Sequence, residues 1–174
     1  MSNQLTVEQL QELLQIQKDF DDRIPTLNLE DSKIAYIVEF FEWFNTLETF
    51  KNWKKNPGKP LEVQLDELAD MLAFGLSIAN QQITDTEGFA TLLSEVELPG
   101  SELLEVDFGE PEFVHATIEG FSEFDFEPGS SVLTPFVFAY RLYSIEQLID
   151  AYKKKMERNH ARQDGTADVE KGYV

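Results

Sequence analysis

Cysteine is absent from the 174 residues, which excludes disulfides, thiolate zinc sites and cysteine nucleophiles and fits a reducing cytoplasm. Histidine is nearly absent too: His115 and His160 are too few for a histidine-rich metal centre. No apolar run approaches the ~20 residues of a membrane span, and the opening MSNQLTVEQLQELLQ is polar and acidic, unlike a signal or transit peptide. These absences predict a soluble, cytoplasmic chain with no membrane contact. There is no G-x-G-x-x-G or Walker loop, no internal repeat and no low-complexity tract. Positive charge is scarce, with 14 Lys and Arg against 33 Asp and Glu and a formal net charge of -19. Such a surface repels phosphate backbones, so direct nucleic-acid binding is not expected.

What the chain does have is two carboxylate couplets, Glu39-x-x-Glu42 in IVEFFEWF and Glu67-x-x-Asp70 in LDELADML. Residues at i and i+3 share a helix face, so each couplet aims two acids at one spot. Around the first lie Ile34, Ile37, Val38, Phe40, Phe41, Trp43, Phe44 and Leu47, and around the second Leu65, Leu68, Met71, Leu72, Phe74, Leu76 and Ile78. At about 100° per residue these apolar side chains cover nearly the whole helix circumference. Most E-x-x-E matches are ordinary amphipathic helices whose acids face water, but two matched couplets on such apolar helices point to converging, buried carboxylates. Burying unpaired carboxylates costs several kcal/mol, and a hard cation such as Mg²⁺ with oxygen ligands removes that cost.

The scarce cations are concentrated. Lys51, Lys54, Lys55 and Lys59 fall in FKNWKKNPGK, and Lys153, Lys154, Lys155, Arg158 and Arg162 fall near the C-terminus, which is nine of the fourteen. Solvated helix ends also collect lysines, yet two such clusters beside an acidic centre suit a small polyanion, a nucleoside triphosphate above all.

Elements follow from apolar spacing and breakers. Thr6 caps a first helix over Val7 to Phe20. Arg23 to Glu30, with Pro25, reads as a loop; Asp31 or Ser32 then caps the Glu39 helix, which runs to about Thr46. Asn56, Pro57, Gly58 and Pro60 break the chain before the Glu67 helix, which extends to about Gln82. The short connection predicts antiparallel neighbours whose couplets meet. Residues 95–131 are rich in Gly, Pro, Phe and acids and read as turns around a helix over Pro111 to Phe124, with strand content at Leu103 to Phe108. Two helices, Pro135 to Tyr143 and Ile145 to Asn159 with Ser144 as the cap between them, complete the chain. The expected organisation is all-α: a helical bundle formed by 1–94 and 132–163, an inserted accessory lobe at 95–131 and a flexible tail at 164–174.

The order Glu39-x-x-Glu42, Phe50-Lys51-x-Trp53, Glu67-x-x-Asp70, then Tyr152 and a basic run leading to Asn159-His160-x-Arg162-Gln163 resembles the dimeric all-α dUTPases, in particular their phage-encoded branch. That family belongs to the all-α NTP pyrophosphohydrolases with the MazG-like enzymes. The resemblance covers roughly residues 10–82 and 135–165. It implies hydrolysis of dUTP, and of dUDP, to dUMP, limiting uracil in DNA. Glu39, Glu42, Glu67 and Asp70 would hold two or more Mg²⁺ ions, with Glu39 as the water-activating base. Trp53 would stack on uracil with Lys51 beside the nucleotide, an indole face being worth about 1–3 kcal/mol to a base. Lys154 or Lys155, Asn159 and Arg162 would take the phosphates, and Tyr152 the deoxyribose or uracil end.

The family's N-terminal L-Q-x-x-L-N pattern departs here: Gln17 is in place for base reading, but Asp21 stands where Asn is expected, and an ionised Asp accepts without donating. A homodimer is implied as well, and a repressor of a mobile genetic element is a candidate partner. The alternatives are a MazG-like pyrophosphohydrolase of another dNTP and an acidic repressor-binding protein.

Overall fold

A computed structural model describes residues 5–96, 98 and 107–171, and among these the fold is all-helical, with no strand. Seven α-helices follow in order: α1 (Val7–Asp21), α2 (Leu29–Leu47), α3 (Leu61–Gln82), α4 (Thr86–Ser94), α5 (Pro111–Ser122), α6 (Pro128–Leu142) and α7 (Ile145–Gln163), with a 3₁₀ turn at Val169–Lys171. The all-α expectation holds. No described helix is long and apolar enough to cross a membrane.

Local chemistry sets the helix starts. Thr6 and Gln9 form a reciprocal capping box at 3.2 and 3.0 Å that satisfies two amides α1 would otherwise leave open. Ser144 caps α7 as its position predicts, accepting from the Gln147 amide at 3.1 Å. The cap of α2 is Asn28, whose Oδ1 accepts from the Asp31 amide at 2.9 Å, and neither Asp31 nor Ser32 takes that role. Both lie in the first turn instead. There the Asp31 carboxylate meets the positive helix end and Ser32 Oγ donates back to the Asn28 carbonyl at 3.0 Å. Helix α4 has no counterpart in the sequence-based assignment; Asp85 caps it by accepting from Gly88 N at 2.9 Å.

Helix α6 begins at Pro128, seven residues before the expected start, and carries Pro135 inside it. A proline fits the first turn, where its missing N–H is not needed, and Pro128 fills that place. Pro135 then leaves the carbonyl of Ser131 without its helical donor. That carbonyl lies against Gly75 of α3, where a methyl group would collide with it. Glycine at 75 thus lets the α6 backbone approach α3 closely. The expected strand at Leu103 to Phe108 lies mostly outside the described residues; Asp107 and Phe108 are not in a strand.

Helix α3 is the central element, packed against α1, α2, α6 and α7 and burying Leu65, Leu68, Met71, Leu72, Leu76 and Ile78. Beside it an aromatic cluster forms around Phe40 and Trp43. Trp43 stacks on Phe138 with ring centroids 4.9 Å apart and meets Phe108 edge-on at 5.1 Å. Phe121 packs on Phe40 at 4.3 Å, and Phe124 on Tyr36 at 5.7 Å. The phenylalanines of 107–126 therefore turn toward the helical core. Beyond α7, Asp164 binds Arg23 at 2.6 Å and Asp168 binds Arg158 and Arg162 at 3.1 and 2.7 Å.

Candidate functional site

Helices α2 and α3 form the most extensive helix pair, and their packing sets the site. Glu39 from α2 and Glu67 and Asp70 from α3 each place a carboxylate oxygen so that all three lie within 4.8 Å of one another. Glu42 stays outside this set: it is exposed, and it acts on Glu39 through its charge. Burial raises the Glu39 carboxyl to about 8, helped by the negative charges of Asp70, Glu42 and Glu67 and opposed by Lys155. The same burial raises Glu67 and Asp70. Glu39 Oε2 is buried and has no hydrogen-bond partner. Three partly buried oxygen ligands with an orphaned carboxylate oxygen fit a hard divalent cation, for which oxygen donors are the preferred set.

A cavity of about 380 Å³ opens beside the cluster, lined by Gln17 and Asp21 of α1, Glu39, Asp70, Phe74 and Ser77, and Met156, Asn159 and Arg162 of α7. Sequence reasoning did not single out Phe74, Ser77 or Met156 as site residues. At one end Gln17 Nε2 donates to Asp21 Oδ1 at 2.7 Å, and the Tyr152 hydroxyl donates to Gln17 Oε1 at 3.0 Å. The Gln17 amide is therefore held from both sides with its orientation fixed. Tyr152 is itself fully buried behind Gln17 and does not line the cavity. Asp21 is buried, which raises its carboxyl, while the Ser77 hydroxyl and the Gln17 amide oppose that shift by hydrogen bonding.

At the other end Arg162 Nη1 donates to Asn159 Oδ1 at 2.8 Å, and Arg162 Nε donates to Asp168 Oδ2 at 2.7 Å. His160 faces elsewhere, bonded to Arg23 at 2.9 Å and edge-on to Phe20. Of the three consecutive lysines, Lys155 turns inward. Its ammonium lies 2.6 Å from Asp70 and 2.7 Å from Asp66. Lys154 points into a separate hollow with Glu62, Asp66 and Gln147.

Lys51 and Trp53 are not brought to the carboxylates. They lie on the α2–α3 connection, where Trp53 is 72% exposed. The connection is organised by Glu48, a buried acid in the left-handed region at φ 56°. Both Glu48 oxygens bind Lys54 at 2.6 Å, Oε1 also binds Lys51 at 3.2 Å, and Oε2 accepts from Gly58 N at 3.1 Å. These bonds, with Lys54 foremost, hold the Glu48 carboxyl down at about 2. Sequence reasoning passed over Glu48; the signal was a lone acid followed by four lysines within eleven residues.

Comparison with known families places this geometry. No curated protein matches the chain. The model of the dUTPase family matches residues 9–166, a span that takes in every residue of the carboxylate cluster and the cavity. With a match of that extent on an all-helical fold, the chain belongs to the all-α dUTPase family and is a dUTP diphosphatase.

Proposed function

We propose that the chain hydrolyses dUTP, and dUDP, with Mg²⁺ held by Glu39, Glu67 and Asp70 and supported by Glu42 at the rim. The observation that carries this reading is the convergence of three carboxylates within 4.8 Å, one with an unpartnered oxygen, two of which line a cavity that Arg162 and Asn159 also line. Two or more Mg²⁺ ions bound there would supply positive charge against the phosphates.

The chain's own groups do the rest. With cations bound, Glu39 as a carboxylate would orient a water and accept its proton while the water oxygen bonds to phosphorus and pyrophosphate leaves from dUTP. Arg162 presents guanidinium N–H groups to phosphate, and Asn159 fixes that plane by accepting from Nη1. Gln17, locked by Tyr152, and Asp21 beside it read the uracil edge. Tyr152 is then a positioning residue. Trp53 and Lys51 act from the Glu48-braced connection, reaching nucleotide across a homodimer seam. A dimer is supported by an apolar stripe on α2, Ile34, Val38 and Phe41, which is 63%, 46% and 40% exposed at i, i+4 and i+7 spacing. A repressor partner would meet the acids between the phenylalanines of the 107–127 segment, since the rings pack toward the core.

Product release across dUTP, dUDP, dCTP, dTTP and dATP with Mg²⁺ tests the substrate reading. Hydrolysis of dUTP and dUDP well above the others is expected. A preference for dCTP would move the chain to a MazG-like pyrophosphohydrolase, and no hydrolysis of any nucleotide would leave a binding role.

A further inference from the structure

Helices α3 and α7 meet where the Lys155 ammonium sits between two carboxylates of one helix face, Asp66 and Asp70, four residues apart. The Lys155 side chain is only 6% exposed, so the pair is shielded from water on its cationic side. Asp70 belongs to the set of three converging acids; Asp66 does not. The Lys155 ammonium thus lies directly on one of the three converging acids. A divalent cation at the same carboxylate would repel that ammonium across a few ångströms of partly buried space. Asp66 gives Lys155 a second anchor at almost the same distance, one turn earlier on α3.

We propose that Lys155 is the resident cation of the metal-free site, and that Asp66 is the positioning residue that takes over its ammonium when a divalent cation claims Asp70. The proposal rests on the metal reading above and adds two things to it. The acids of the site stay partly neutralised when no metal is bound, and Lys155 is kept beside the site after metal binds. Breaking such a buried pair on one side leaves an uncompensated charge, which makes the two partners' effects strongly coupled.

Mn²⁺ binding to the full chain without nucleotide, followed by calorimetry, tests this alongside thermal unfolding of the metal-free protein. Lys155→Met is expected to bind Mn²⁺ about tenfold more tightly than wild type, to melt lower without metal and to gain more from Mn²⁺. Lys155→Gln carries the same expectation should the first variant fold poorly. Asp66→Asn is expected to weaken Mn²⁺ binding severalfold in the wild-type background and much less beside Lys155→Met. Lys154→Met, which removes a charge from the neighbouring hollow, is expected to leave Mn²⁺ affinity near wild type.

Unchanged or weaker Mn²⁺ binding in both Lys155 variants would overturn the proposal while leaving the metal site in place. So would an Asp66→Asn effect of equal size in both backgrounds, or a Lys154→Met effect matching Lys155→Met. Absence of saturable Mn²⁺ binding in the wild-type chain would instead remove the metal reading, and this proposal with it.

Discussion

Glu39→Gln is expected to lower dUTP turnover by about a thousandfold or more, a loss of ~4 kcal/mol of transition-state stabilisation, in a chain that still folds. The substitution keeps the side-chain volume and removes the carboxylate proposed above as cation ligand and base. It also changes the metal-free protein in a second, separable way. Burial and neighbouring acids raise Glu39 from 4.5 to about 8 in the folded chain, so between those values the folded state binds the extra proton. Stability must then fall as pH rises through that window, because the proton-poor unfolded state gains on the folded one. Glu39→Gln removes this loss. The metal-free variant should therefore melt higher than metal-free wild type near pH 8 and resemble it near pH 5. Turnover and unfolding scans across that range check both halves. A variant retaining more than about a tenth of wild-type turnover, a loss below ~1.4 kcal/mol, would remove Glu39 from the chemistry, and identical pH dependence in the two proteins would show its charge is not strained by burial.

Trp43→Ala is expected to cost about 3–5 kcal/mol of stability, lowering the thermal midpoint by roughly 6–20 °C. Trp43 is fully buried, stacked on Phe138 and edge-on to Phe108. Its indole N–H donates at 3.2 Å to the Tyr143 hydroxyl, which donates in turn to Gln64 Oε1 at 2.6 Å. Truncation would open a cavity between α2, α6 and the turn at Phe108 and break this chain of hydrogen bonds at its buried end. Trp53→Ala is the matched comparison: exposed on the connection, it is expected to change stability by under ~0.5 kcal/mol. Denaturant unfolding of both variants measures the contrast. Similar losses for the two would place Trp53 in a packed setting and require a different arrangement of the 48–60 connection.

Legibility differed between residue pairs that look alike in sequence. The couplets declared themselves because i, i+3 spacing on an apolar helix leaves buried acids with nowhere to go, and three of the four acids do converge. Glu42 does not join them. Helix α2 buries Tyr36, Phe40, Trp43 and Phe44 on one side only, which leaves Val38, Phe41 and Glu42 outward, and hydropathy cannot say which arc of an apolar helix faces its neighbours.

Helical periodicity singles out the inward lysine: Leu148, Tyr152 and Lys155 fall at i, i+4 and i+7 on the buried face of α7, whereas Lys154 is one step off it. The F-K-x-W pattern pointed to the family yet not to a position, since an exposed connection is placed by its bracing contacts and Glu48 supplies them from outside the motif. Helix α4 escaped notice because nine residues show too little apolar periodicity. The start of α6 was misplaced because Pro135 sits within the helix, a position that normally ends one.

The most direct measurement is anomalous scattering from crystals grown with Mn²⁺ and a dUTP analogue whose bridging oxygen is replaced by an imido group. The expected result is at least one Mn²⁺ peak about 2.0–2.2 Å from carboxylate oxygens of Glu39, Glu67 and Asp70, with the triphosphate reaching toward Arg162 and Asn159. Nucleotide bound with no Mn²⁺ among these three acids, or Mn²⁺ held by other residues, would contradict the assignment of this cluster as the catalytic metal centre.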